Sequence, residues 1–163
     1  MSLDAMALYR AWNALDNGAS AQIRRASEPD DLRDIPAFYR LVQNLGWHDP
    51  LQKKTLLRAV FCLSAGKDVI KHVEPDSNNP HGISLGKALA RSERINERRI
   101  YQVLRSHWPQ DMVQLRRLIS HAEPALHWPS LVEQLQWWTD GNNRSRRKLL
   151  EDFVLALPQK KTA

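Results

Sequence analysis

Apolar residues recur along this chain at three- and four-residue intervals, the spacing that lines one face of an α-helix. Ala5, Leu8, Tyr9, Trp12 and Leu15 form the first stripe, and Gly18 is placed to end it. A shorter piece, ASAQIRRAS, closes before Pro29. Pro36 suits the first turn of PAFYRLVQNLG, whose apolar face is Phe38, Leu41, Val42 and Leu45 and whose stop is Gly46. Leu56, Leu57, Val60, Phe61 and Ser64 mark another helix, ending at Gly66. In the second half, Met112, Leu115, Leu118, Ile119 and Ala122 form a stripe behind Asp111, the expected N-cap. Pro129 opens PSLVEQLQWW, and Leu149, Leu150, Phe153, Val154 and Leu157 form a last helix stopped by Pro158. No run alternates as a strand would, and DGNN at Asp140 joins two helical patterns rather than a hairpin. The pattern predicts an all-α chain, a compact bundle of about eight helices.

One segment breaks the rhythm. KDVIKHVEPDSNNPHG, residues 67–82, carries two prolines and a polar SNN, and reads as a mobile loop or a seam. The length of 163 residues fits one domain. Two sub-bundles sharing a core, 1–66 and 83–158, stay open. The tail QKKTA reads as frayed.

Composition narrows the function. No apolar run is long enough to cross a membrane, and the N-terminus lacks the basic-then-apolar order of a secretory signal. A lone cysteine, Cys62, has no partner for an internal disulfide, which fits a reducing, cytoplasmic compartment. Its apolar surroundings mark it as a small core residue rather than a nucleophile. The histidines never fall as HExxH, GISLG lacks the lysine and hydroxyl of a phosphate loop, and His48-Asp49 is too short a match to carry metal chemistry. The expectation is a non-enzyme with no cofactor and no metal. Six tryptophans would suit a base-stacking platform. Trp12, Trp137 and Trp138 lie at or beside apolar helical positions, so packing is the simpler expectation; Trp47, Trp108 and Trp128 sit near prolines at junctions.

The charge distribution says more. The net charge is +6, with 16 Arg against 8 Lys, and an arginine fork suits bidentate contact with phosphate. Between Ser84 and Arg117 eight basic residues face three acidic ones, so most of the surplus lies there. A charged helix is usually solvated and laced by acid–base pairs at i, i+4. In SERINERRIYQVLRS the offsets fail: Glu93 has no basic residue three or four positions away, and Glu97 reaches only Arg94 in the weaker order. Arg98, Arg99 and Arg105 are therefore left without a local carboxylate, Arg94 has only that weaker pairing, and a helix break near Asn96 relieves only part of the repulsion. Four Arg-Arg pairs occur, and in QIRRA and QLRRL an apolar residue precedes the pair. At 100° per residue the second arginine then points about 200° from the core. An external polyanion answers this arrangement. Two further readings remain open: a helical scaffold or adaptor whose basic face binds acidic protein surfaces, and a DNA-binding regulator, which helix-turn-helix spacing does not support.

Long ordered blocks then carry a family resemblance. DAMALYRAW, IRRASEPDDLRDIPAFYRLV, LLRAVFCLSAGKDVI, GISLGKALARSERINERRI, DMVQLRRLISHAEP and WW…LLEDFVL resemble the CasB family, the small subunit of the type I-E CRISPR surveillance complex Cascade. The resemblance covers nearly all of the chain outside residues 71–81 and the tail. It implies an all-α protein without catalysis of its own, present in two copies beside crRNA-bearing backbone subunits and the large subunit. Its basic surface would guide the target strand and hold the displaced non-target strand of an R-loop through sequence-blind phosphate contacts. The family's DNA-lining positions fall on Arg25, Arg99, Arg105 and Arg117, and the basic segment before LLEDF adds Arg144 and Arg146. Arg24, Arg98 and Arg116 are second choices, because a first arginine can instead brace its neighbour. Arg94 ranks behind Arg99 and Arg105.

Overall fold

The computed structural model describes residues 3–139 and 143–158; the QKKTA tail and most of the DGNN junction lie outside the described residues. The chain is all-α, as the periodicity predicts. Helix α1 (Ala5–Ala14) starts where the Asp4 carboxylate accepts from the Ala7 N–H at 3.0 Å. Helix α2 (Asn17–Arg24) starts the same way at Asp16, which accepts from Ala19 at 2.7 Å. Gly18 therefore lies in the first turn of α2 and does not end α1; a cap two residues upstream outweighs a glycine as the boundary. A 3₁₀ turn, η1 (Pro29–Asp34), and helix α3 (Pro36–Val42) follow, with Pro36 in the first turn. Helix α4 (Pro50–Leu63) is capped by Asp49, whose carboxylate accepts from Leu51 at 2.9 Å. That bond gives the His48-Asp49 dipeptide a structural role.

Beyond residues 67–82 come α5 (Leu85–Ser92), α6 (Glu97–Arg105), α7 (Gln110–Ala122), α8 (Trp128–Gln136) and α9 (Arg144–Ala156). The break near Asn96 is real. Glu93 takes the left-handed conformation after α5, and the Asn96 side chain accepts from Arg99 N–H to open α6. Asp111 is not the cap of α7. It is the second residue of that helix, 1% exposed, and accepts from Trp138 Nε1 at 3.1 Å. A buried indole N–H needs an acceptor, and that need fixes the carboxylate.

Residues 67–82, read as a mobile loop or a seam, are tied to other elements at Ile70–Val73. Strand β1 (Lys71–His72) pairs in parallel with β2 (Ala125–Leu126), the one departure from all-helix structure among the described residues. Lys71 N–H donates to Pro124 O at 3.0 Å and Val73 N–H to Leu126 O at 2.8 Å. Tyr9 Oη donates to Ile70 O and accepts from His72 N–H, while His72 Nδ1 accepts from Trp128 N–H. All these partners are remote in sequence, so local composition gives no sign of them.

The core is built on α4, which is buried all round from Thr55 to Ser64 and packs against η1, α7 and α8. Helix α1 also packs on α8, so elements from both sides of residues 67–82 share one apolar cluster. Trp12, Trp128 and Trp138 are at most 1% exposed within it. Trp137 is the exception to the packing expectation. It follows the last turn of α8 and is 49% exposed. Helices α5 and α9 pack tightly at Gly86, where an added Cβ would lie 2.6 Å from Leu149 O and 2.9 Å from Phe153 N. Both are backbone atoms of α9 and cannot swing aside. Gly86→Ala should push the helices apart and destabilise the fold by about 2 kcal/mol, read by urea denaturation. A variant as stable as the parent would show that the crossing has slack.

Candidate nucleic-acid interface

The candidate arginines, together with Arg58, divide by what their guanidiniums meet. Four serve the fold, and each reaches the carboxyl end of another helix or the turn beyond it. Arg58, 2% exposed in α4, donates to Leu135 O at the end of α8 at 3.1 Å and lies over the Trp108 ring. Arg94 donates to His121 O at the end of α7 and sits 3.6 Å from Glu123. Arg116 donates to Ala26 O, just past α2, at 2.7 Å and to Ser64 Oγ at 2.9 Å, with its guanidinium 3.9 Å over the Phe61 ring. Burial pulls its pKa below the usual arginine value. Arg146, 6% exposed, donates through Nη2 to Val103, Leu104 and Ser106 carbonyls at the end of α6. The last turn of a helix leaves carbonyls without internal partners at its negative end, and a guanidinium answers both needs.

Three of those four were candidates for nucleic acid. Arg146 is withdrawn from the surface, because its fork is committed inside the protein. Arg116 is half-buried and braces the junction of α2, α4 and α7, the bracing role foreseen for a first arginine. Arg94 stays exposed, but its guanidinium is shared between a carbonyl and a carboxylate.

The second group faces solvent. Arg24, Arg25, Arg98, Arg105, Arg117 and Arg144 are exposed, and Arg99 is partly so. Arg117 follows the helical geometry predicted for it: Leu115 and Leu118 are buried, and Arg117 points away from both. It borders two adjoining clefts. One, of about 410 Å³, is lined by Arg24, Arg116, Arg117, Ser64 and Ser120; the other, of about 240 Å³, by Arg99, Arg117, Gln102, Gln114 and Leu118. No carboxylate lines either cleft. The structure thus brings Arg24, Arg99 and Arg117 onto one face, gathered from α2, α6 and α7.

The remaining exposed candidates stand apart from those clefts. Arg25 caps α2 and opens onto a different cleft beside Asp31 and Asp34. Arg105 lies 4.7 Å over the Tyr101 ring, which holds the guanidinium at the surface. Arg144 begins α9, where a cation opposes the helix dipole, and no acidic residue occupies that first turn. Arg147, not singled out from the sequence, is exposed directly after the buried Arg146. The outward-second-arginine reading does not extend to this pair, because Ser145 rather than an apolar residue precedes it. Gln102 and Gln114 were also missed, since a reading of charge is blind to amides.

The thiol of Cys62 is fully buried, and burial pushes its pKa up to about 12, which leaves it inert as a nucleophile. Among the described residues no three His, Cys, Asp or Glu side chains gather as a metal site, and no helix is long and apolar enough to cross a membrane.

Fold and surface together define an all-α chain with two adjoining basic clefts that no carboxylate lines. The profile of the family described as CRISPR-associated protein Cse2 matches residues 19–153, and the chain belongs to that family. It is 63% identical over 153 residues to the CRISPR system Cascade subunit CasB of Escherichia coli strain K12, covering 94% of each chain. Its fold matches a chain in the crystal structure of E. coli Cascade bound to a PAM-containing dsDNA target with a TM-score of 0.90. That match has 62% identity and covers 96% of this chain and 99% of the other.

Proposed function

We propose that this chain is a non-catalytic, nucleic-acid-binding subunit of a Cascade-type CRISPR surveillance complex. It stabilises crRNA-guided binding of target DNA, and steadies the displaced strand of the R-loop, through sequence-independent contacts with phosphates. The observation that carries this reading is the face shared by Arg24, Arg99 and Arg117, whose guanidiniums have no hydrogen bond or ion pair among the described residues. An R-loop exchanges one duplex for another of similar stability, so a few backbone contacts can decide the balance. The partners on this reading are both DNA strands, the crRNA-bearing backbone subunits, the large subunit and a second copy of the chain. No chemical step is assigned to it.

Single-stranded DNA binding by the purified chain, followed by fluorescence anisotropy, tests the reading. Binding should be weak, indifferent to base sequence and steeply salt-dependent, with log K falling by about 0.7 per phosphate contact for each unit of log salt. Salt-independent binding, or no binding even in the assembled complex, would refute it. Loss of assembly with DNA contact intact in whatever still assembles would favour the adaptor reading.

A further inference from the structure

The smaller of the two basic clefts lies between α6 and α7, and its polar lining is unemployed. Arg99 and Gln102 come from one helix, Gln114 and Arg117 from the other. None of these four side chains has a hydrogen bond or ion pair among the described residues. That sets them apart from Arg94, Arg116 and Arg146, whose forks are all engaged. Gln114 is unengaged at both ends: its Oε1 is sealed from solvent with no donor and stays so when an anion binds, since a phosphate oxygen only accepts. An amide carries two donors as well as its acceptor, so the NH₂ is the half of Gln114 left to meet a ligand.

The lining selects its ligand. It offers two guanidiniums and two amides, while carboxylates, which would repel an anion, are absent from it. A phosphodiester presents two non-bridging oxygens that only accept, and matches such a set of donors. The volume, about 240 Å³, is below the ~300–1,000 Å³ of sites that enclose whole small molecules, and suits one phosphate rather than a base.

We propose that Arg99, Gln102, Gln114 and Arg117 form a seat for a single backbone phosphate, with the guanidiniums supplying charge and the amides fixing its oxygens. The seat rests on the phosphate-binding reading above and adds to it two neutral contact residues and the convergence of two helices on one group. It sets register along the strand, since a phosphate held from two sides cannot slide as one touching a lone arginine can.

The test compares anisotropy of a labelled oligo-dT strand on the full-length parent and on variants across a salt series. Gln102→Leu combined with Gln114→Leu should weaken binding about tenfold while leaving the slope of log K against log salt unchanged, because no counterion is involved. Arg117→Ala should weaken binding and make the slope shallower by about 0.7. Gln114→Leu removes a buried orphan acceptor, so its melting temperature should not fall. Should the double variant nevertheless fail to fold, Gln114→Asn, which withdraws the amide by one methylene, is expected to weaken binding in the same direction. Parental binding by the glutamine variants, with Arg117→Ala weakened, overturns the seat and leaves the basic-face reading standing. A changed slope in the glutamine variants also overturns it, since their effect would then run through displaced arginines. Parental binding by both Arg99→Ala and Arg117→Ala overturns the underlying reading and the seat with it.

Discussion

Arg146→Met is expected to lower the stability of the chain by about 3 kcal/mol, while Arg144→Ala, two residues away, changes it by less than about 0.5 kcal/mol. The contrast follows from where the two guanidiniums go. Arg146 is 6% exposed, and its Nη2 serves three carbonyls, Val103 and Ser106 at 3.1 and 2.8 Å and Leu104 between them. Hydrogen bonds from a charged donor contribute roughly 1.5–3 kcal/mol each, and three sharing one nitrogen contribute less than their sum. Methionine keeps much of the apolar stem but leaves the end of α6 with unmet acceptors in a place water reaches poorly. For a chain of this size the loss corresponds to a fall in melting temperature of roughly 6–12 °C. Arg144 is exposed and gives up nothing inside the protein. A melting curve of Arg146→Met within a degree or two of the parent would refute the assignment. Binding of single-stranded DNA by the folded fraction should keep the parental salt slope, which separates this structural arginine from the surface ones.

Arg146 also shows where the sequence was legible and where it was not. The helices were readable because their apolar stripes are local, and so was the break at Asn96, an amide placed before a helical run. The outward turn of Arg117 was readable from its distance to Leu115. That geometry needs an apolar residue before the pair, which 146–147 lacks, and there Arg147 is the exposed member. The candidate drawn from the resemblance fell on Arg146 instead. What could not be read was the carbonyl end of a distant helix. Arg58, Arg94, Arg116 and Arg146 reach acceptors 77, 27, 90 and about 40 residues away, and nothing near them in the chain signals those partners. The arginine surplus therefore has two sources, helix ends inside the protein and an anion outside it. Composition merges them. Asp111 and Gly18 failed for a related reason: a tertiary acceptor demand and an upstream cap each overrode a sound local signal.

Sorting the arginines also sharpens the face. Removing the committed ones leaves Arg24, Arg99 and Arg117 around two carboxylate-free clefts, with Arg105 steadied on Tyr101 to the side. The committed ones still matter to it. Arg116 ties α7 to the turn after α2 and to Ser64, which fixes the spacing between Arg24 and Arg117. A structural arginine thus positions two of the exposed candidates, and Arg116→Ala mixes both effects in any assay.

In a Cascade-type complex reconstituted with this chain, Arg24→Ala, Arg99→Ala and Arg117→Ala together are expected to weaken R-loop formation on the order of a hundredfold at moderate salt. Each exposed charge-assisted contact contributes about 1 kcal/mol once solvent screening is allowed for, so three supply about 3 kcal/mol, or a factor of roughly 100. That factor shows directly in the equilibrium because heteroduplex and DNA duplex nearly cancel, leaving protein contacts to tip the exchange. Loss should appear mainly as faster collapse of the R-loop, and lowering the salt should recover part of it. None of the three side chains holds the fold together, so the triple variant should melt as the parent does and enter the complex in normal amount. Normal assembly with parental R-loop lifetime would remove this face from DNA binding. Failed assembly, with R-loop lifetime unchanged in the residue that does assemble, would reassign the face to an acidic protein surface.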